Sequence, residues 1–386
     1  MTSSKPLLIN PNLFKTLRPL IKLSRIFGLC PITYKNSDKC LNLRIKWSWS
    51  LYILQLIAVT VITSWAIWGF IRDMQIAEFL NLGFTSAIDL YIAIFDVNEI
   101  IITGFIFVAI IPSTFKHLPE IIDNFNKIDD TNPQLPTNKI HRKILFLLSF
   151  VLVYMTVAYT CDLIMWSQDL LVGFIHDLPY YILYSVVVIH EVQYWFLVTL
   201  IRLRMSAMNG LVAETLNRNT DISSQEVCLL VETHSNILEA VSTVNRCFSG
   251  PTAIILLSCY LHLVVCPYIL YVVASSDNGL FCNTVYFLWI SVHFSRLLVI
   301  IEVCNNCENE CHKTRNLIFK LLANTSKKGD VRRELKLFAY KNVGKKVRFS
   351  SYAVPKINRK LLISIATSIS SYWMILYQFG ASTTGL

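Results

Sequence analysis

The chain has 386 residues, 54% of them hydrophobic and only 16% charged, with a net charge of +10. Soluble domains carry roughly 25% charged residues, and disordered chains hold far less apolar content than this. Composition therefore excludes a string of soluble domains and a disordered chain, and it points to an integral membrane protein.

The first 46 residues carry nine Lys and Arg. They show no apolar core ending in a small-residue cleavage site, so the first span is expected to act as its own insertion signal. Crossing a hydrocarbon layer of ~30 Å takes about 20 helical residues. Seven stretches reach that length: residues 48–71, 88–111, 144–165, 178–201, 253–275, 281–303 and 361–379. The second, fourth and sixth carry ionisable residues, which lowers their hydropathy and marks them for function. Pro179, Pro251 and Pro355 fall near expected helix boundaries as start or break signals. Pro267 lies within the fifth span and is expected to kink it.

The basic residues orient the chain. Of the 35 Lys and Arg, 33 lie in the N-terminal segment and in the loops after the second, fourth and sixth spans. The alternate loops hold only Arg72, and Arg296 lies inside the sixth span. The positive-inside rule then places the N-terminus in the cytoplasm and the C-terminus outside, the reverse of a G-protein-coupled receptor. The basic excess reflects topology and attraction to anionic membrane lipid, and it requires no nucleic acid. The expected fold class is an all-α membrane protein with seven transmembrane helices and cytoplasmic helix extensions. Its expected organisation is a cytoplasmic segment (1–47), a six-helix bundle (48–303), a cytoplasmic helical anchor (304–360), a seventh span (361–379) and an extracellular tail (380–386). The one glycosylation sequon, at Asn324, falls on the cytoplasmic side and should be unused.

The cytoplasmic segments are patterned. In residues 227–244, Val227, Leu230, Val231, Ile237, Leu238, Val241 and Val244 recur at broadly helical spacing. In residues 331–346, Leu335, Leu337 and Phe338 sit among basic residues. Cys304, Cys307, Cys311 and His312 have a metal-like spacing, but they lie on a continuing helix with no second cluster nearby in sequence. No metal and no cofactor is expected. There is no phosphate-cradling Gly loop and no nucleophile constellation, so the chain does not read as an enzyme. Cys161 and Cys282 both fall near the outer surface, and their pairing stays open.

On the last span, Ser364, Ser368, Ser371, Ile375 and Gln378 follow steps of four, three, four and three and share one helix stripe. A polar stripe facing lipid is costly, so it should face protein or water. The competing reading is that the serines are small packing residues or bond back to their own helix. Tyr372, Leu376 and Phe379 form a neighbouring stripe.

The span ends Ser371-Tyr372-Trp373-Met374-Ile375-Leu376-Tyr377-Gln378-Phe379. This resembles the insect gustatory receptor signature of Thr-Tyr, five mostly hydrophobic residues and Gln-Phe, with Ser371 in place of Thr. Upstream, Arg333-Glu334, Phe338, Phe349-Ser350-Ser351 and the segment Pro355 to Asn358 resemble the approach to that signature. Glu308, Thr314 and Leu317 resemble a Glu…Thr…Leu pattern that the family often has after its sixth span. The resemblance implies a ligand-gated, non-selective cation channel in the plasma membrane of chemosensory neurons. It implies a homo- or hetero-tetramer of gustatory receptor subunits, with the last span of each lining the pore and a small-molecule tastant held in the outer half of each bundle. Sugar-sensing members tend to have Glu after the signature Tyr, whereas this chain has Trp373, which tilts it toward bitter or other tastants. Odorant receptors share the architecture; a metabotropic receptor or a secondary transporter fits less well.

On that reading Gln378 and Phe379 stand at the external constriction. Phe379 closes it by dewetting, Gln378 offers oxygen to a cation, and Ile375, Ser371 and Tyr372 lie along the same pore segment. The intramembrane ionisable residues form a second group near the bilayer midplane: Asp96 and Glu99, His190 and Glu191, His293 and Arg296. Arg296 needs a partner, which Glu99 or Glu191 can supply, and Arg296–Glu191 is the expected structural ion pair. Asp96, Glu99, Tyr159, Asp162, Tyr184, His190, Trp289 and His293 are the expected ligand-pocket residues, as polar groups among aromatics suit a small organic ligand. Interfacial aromatic belts account for some of the tyrosines equally well.

Overall fold

The computed structural model describes residues 7–9, 11–36, 43–79, 87–131, 137–166, 170–218, 222–325, 329–344, 347–352 and 354–383. Within them the regular secondary structure is helical with one exception. Strands β1 (Leu7–Ile9), β2 (Ile32–Asn36) and β3 (Leu43–Trp47) form an antiparallel sheet in the order β1-β3-β2, with Tyr34 opposite Ile45. This small sheet is the one addition to an otherwise helical fold, which is the class expected. Helix α1 (Pro11–Ile26) lies between its first two strands in sequence and is amphipathic. Leu13, Phe14, Leu17, Leu20 and Ser24 are buried, whereas Lys15, Arg18, Lys22 and Arg25 are exposed.

The remaining helices are α2 (Trp49–Phe79), α3 (Ala87–Ala109), α4 (Ile111–Phe115), α5 (Leu118–Thr131), α6 (Thr137–Trp166), α7 (Leu170–Arg218), α8 (Ser224–Ala274), α9 (Leu280–Asn324), α10 (Asp330–Gly344) and α11 (Arg359–Thr383). Among the described residues six helices are long and apolar enough to cross a membrane, and the count is seven if α3 and α4–α5, bent by 48° at Ile110, are taken as one span. The described parts of all seven expected apolar stretches lie on helices, save Ser48 at the start of the first and Ile110 at the break between α3 and α4.

Three of those helices are far longer than a span needs. α7, α8 and α9 have 49, 51 and 45 residues, against the roughly 20 that a bilayer needs. The patterned segment 227–244 is thus the front half of α8, continuous with the fifth span. Ser223 and Glu226 start that helix with a capping box: Glu226 N–H donates to Ser223 Oγ (3.2 Å), and Ser223 N–H donates to the Glu226 carboxylate (2.9 Å). Pro179 and Pro251 lie inside α7 and α8, not at their starts.

α7 is the hub, packed against α2, α3, α8 and α9. Two glycines let backbones touch there. A Cβ at Gly69 of α2 would lie 2.5 Å from the His176 carbonyl oxygen of α7, and one at Gly104 of α3 would lie 2.9 Å from the Leu183 carbonyl oxygen. Without a strong hydrophobic drive between helices in lipid, such small-residue contacts are what membrane bundles use.

The portion outside the spans is tied by ion pairs. The Arg204 guanidinium donates twice to Asp129 (2.9 and 2.7 Å) and stacks over Phe125, 4.3 Å from its ring centroid. Arg246 pairs with Glu120, which also accepts from Thr243 (2.9 Å). In α10, Leu335 and Phe338 are buried, Phe338 in a cluster with Ile318 of α9. Leu337 is 54% exposed. The sequon residues Asn324 and Thr325 close α9, and Ser326 lies outside the described residues. Cys161 and Cys282 are both unpaired, and Cys304 packs with its thiol 3.1 Å from the Tyr194 hydroxyl.

Candidate functional site

Five helices, α3, α6, α7, α8 and α9, bring most of the intramembrane polar residues into one connected network. At one end, Asp162 of α6 accepts from the Tyr181 hydroxyl and from the Trp289 indole N–H, each at 2.9 Å. Tyr159 stacks on Tyr181 with ring centroids 4.5 Å apart and shares a hydrogen bond with Ser185 (3.0 Å). Tyr184 meets Trp289 edge-on at 5.2 Å. These aromatics therefore face one another within the bundle.

The centre is Arg296. Its Nε donates to both Glu191 oxygens (2.9 and 3.0 Å), and its Nη2 also bonds Glu191 Oε1. Its Nη1 donates to the Tyr184 hydroxyl (2.9 Å) and lies 3.2 Å from His293 Nδ1. A guanidinium has no acceptor, so His293 Nδ1 must be the unprotonated nitrogen of a neutral ring. Glu191, not Glu99, is therefore the partner of Arg296 in this structure.

The network continues through stacked imidazoles. His293 lies on His262 with centroids 4.1 Å apart and planes 14° from parallel. His262 Nε2 is 3.5 Å from Asp96, and its Nδ1 is 2.7 Å from the Ser258 carbonyl oxygen and 3.6 Å from Glu99. Glu99 in turn accepts from Thr103 (2.9 Å) and Ser258 (3.1 Å).

Asp96, Glu99, Tyr159, Asp162, Tyr184, Glu191, Trp289, His293 and Arg296 are thus brought together. His190 is not. Its ring lies between Phe107 (4.7 Å) and Phe248 (5.4 Å), because one helical step of about 100° turns it off the face that carries Glu191. Sequence reasoning missed His262 and Ser258. The signal was present, since His262 is an ionisable residue in the middle of the fifth span.

The last span behaves differently. No residue of its apolar stretch is buried within the chain. Asn358 caps it, accepting from the Lys360 and Leu361 N–H groups at 3.1 and 3.3 Å. Leu361, Leu362, Ile365 and Ile369 lean on the bundle core. Ser368 faces the bundle too, sharing a 2.8 Å hydrogen bond with Tyr260 of α8, so it leaves the expected stripe. Ser364, Ser371, Ile375 and Gln378 are exposed, and Thr367 and Ser370 join them. Tyr372 is half-exposed, with its ring edge-on to Tyr260 at 6.4 Å. Phe379 is on α11, but its side chain lies outside the described residues.

Two ion pairs tie the entry of α11 to α9. Arg359 donates to both Glu302 oxygens (2.6 and 2.9 Å), and Lys356 donates to Glu308 (2.6 Å). Network and seventh span are therefore joined through one helix.

Known proteins resemble this chain in sequence and in fold. A family model described as 7tm Chemosensory receptor matches residues 17–383. Over 179 residues the chain is 29% identical to the gustatory receptor for sugar taste 43a of Drosophila melanogaster. That match covers 45% of this chain and 40% of the fly receptor, so the chain aligns with well under half of that relative's length. The fold is similar to that of the insect olfactory receptor OR5 from Machilis hrabei (TM-score 0.67, 14% identity, 95% of this chain and 98% of that one). The same receptor in complex with eugenol matches with a TM-score of 0.69, at the same identity and coverage. With the profile spanning nearly its whole length, this chain is a membrane protein of the 7tm chemosensory receptor family.

Proposed function

We propose that this chain is a gustatory-type receptor subunit that opens a non-selective cation pore when a small-molecule tastant binds its outer network. It works in the plasma membrane of chemosensory neurons, with its N-terminus inside and its C-terminus outside. Four subunits, alike or mixed, place their α11 helices around one axis. The carrying observation is the uncovered polar face of α11. Ser364, Thr367, Ser370 and Ser371 each donate back to a carbonyl of their own helix, at 3.2, 3.0, 3.0 and 3.1 Å. Their donors are thereby spent, and their oxygen lone pairs are left to face outward as acceptors. Back-bonded hydroxyls are also tolerated against lipid or a neighbouring helix; what favours a cation path is that the exposed Gln378 lies toward the C-terminal end of the same span.

The same reading gives the network a role. Asp96, Glu99, Tyr159, Asp162, Tyr184, Trp289 and His293 are the proposed ligand contacts, with the Arg296–Glu191 pair as their structural base. The sugar-taste name of the fly relative makes sugars the first compounds to test, with bitter compounds next. The fold likeness to an olfactory receptor solved in complex with eugenol adds odorants as the class to test after these.

The test is whole-cell recording during a tastant panel, with surface labelling of a C-terminal epitope in intact cells. Ligand-evoked cation current with external labelling is expected. A C-terminus reached only after permeabilisation, with the protein at the surface, would break the topology and the channel reading together. Gln378→Ala is expected to change single-channel conductance or cation permeability ratios. If both match wild type, Gln378 is not in the pore.

Coupling gives a second expectation. The Arg359–Glu302 pair is 65% and 35% exposed, so it is worth less than about 1 kcal/mol to folding. Arg359→Glu should therefore leave surface expression intact while moving the ligand dose–response curve severalfold. Adding Glu302→Arg should move the curve back; a double variant no better than the single one would remove this pair from gating.

A further inference from the structure

A cavity of about 90 Å³ lies apart from the network described above. α1 walls it with Leu17, Leu20 and Ile21, and α5 with Leu118 and Ile121; Phe248 of α8 also lines it. Only three side chains bring oxygen or nitrogen to its lining, namely Ser24, Gln193 and Thr114. Ser24 and Gln193 are already joined by a 2.8 Å hydrogen bond. Thr114 is 8% exposed, and its Oγ1 has no hydrogen-bond partner.

A buried hydroxyl without a partner is rare and calls for an explanation. Water is a poor one here, because a buried water needs two to four polar partners and apolar cavities stay dry. A helical threonine usually bonds the carbonyl three or four residues back, and here that option is not taken. We propose that this cavity is a second ligand site, for a small aliphatic molecule that carries one oxygen. Its alkyl part fills the space between α1, α5 and Phe248, and its oxygen accepts from Thr114 Oγ1. The size fits a chain of a few carbons, since an engineered apolar cavity of about 150 Å³ takes benzene. A short-chain alcohol is the simplest molecule with this chemistry. The site needs neither the pore nor the outer network to function, so it stands independently of the channel reading.

The probe is a butanol bearing a photoreactive diazirine, added to the full-length protein in detergent and read by mass spectrometry of the crosslinked peptides. Crosslinks are expected in residues 17–24 and 118–122, competed by unlabelled 1-butanol. Thr114→Val keeps the shape and removes the hydroxyl. It is expected to raise the competing butanol concentration about fivefold, the worth of one modest hydrogen bond. Cys247→Leu adds bulk to the lining and is expected to abolish the crosslinks. Should that variant not fold, competition in wild type and the Thr114→Val shift carry the test. Crosslinks confined to exposed apolar positions of α2, or crosslinks that 1-butanol does not compete, would reduce the effect to partitioning and overturn the site. Competition unchanged by Thr114→Val would overturn the role of the hydroxyl.

Discussion

Arg296→Ala is expected to destroy the folded receptor. The substitution leaves the Glu191 carboxylate buried without its cation, and it strips a donor from the Tyr184 hydroxyl and from His293 Nδ1. Removing one partner of a buried ion pair costs about 3–5 kcal/mol, against a total stability of roughly 5–15 kcal/mol for a domain. In fluorescence-detected size exclusion of detergent extracts, the variant should lose its monodisperse peak, and surface labelling should fall with it. The partnership makes a sharper claim. Arg296→Met combined with Glu191→Leu removes both charges at similar volume, and such replacements are often neutral. The double variant should recover the peak while the single one does not. A wild-type peak from Arg296→Ala alone would mean the pair carries no structural weight.

Gly69→Val should be nearly as severe. Its Cβ would sit 2.5 Å from the His176 carbonyl oxygen and 3.2 Å from the carbonyl carbon. Both are backbone atoms of α7, so no rotamer change relieves the overlap; α2 and α7 must separate along their seam. Overpacking of this kind costs about 1–3 kcal/mol and sometimes more, and the loss of close backbone contact adds to it. Gly210, also on α7, is the control. Nothing lies within 4 Å of a Cβ built there, so Gly210→Ala should be neutral or stabilising, by up to about 1 kcal/mol of helix propensity. Thermal midpoints of the two variants should therefore move in opposite directions. Equal midpoints would show that α2 does not pack on α7 as described.

The spans were legible because a bilayer imposes length and polarity on every crossing helix, whatever its partners. The N-terminal sheet was not. β1 has three residues and β2 and β3 five each, and strands that short leave little periodicity to read. The length of α7, α8 and α9 was only half visible, since their polar halves look like loops until the apolar seam is followed. In the network, Arg296 announced its need for a carboxylate, but which one depended on packing between α7 and α9. His190 shows the limit of that reasoning: an ionisable residue in a span can simply pack between two phenylalanines. Ser368 shows it again, because nothing local to α11 reveals that Tyr260, 108 residues earlier, holds its hydroxyl.

α9 contains neither proline nor glycine along its 45 residues, and it runs as one unbroken shaft of about 68 Å. Trp289, His293 and Arg296 sit toward one end, and Thr314, Ile318 and Leu321 are buried toward the other. Eighteen residues separate Arg296 from Thr314, five whole turns, so both point to the same compass bearing. Such a shaft transmits rotation without slack. Adding one residue anywhere between them would turn the far end by about 100° and unlatch Thr314 from Asn209, its 2.6 Å partner on α7. The bearing of one end is thus set by the number of residues to the other, and insertions that a loop would absorb have nowhere to go.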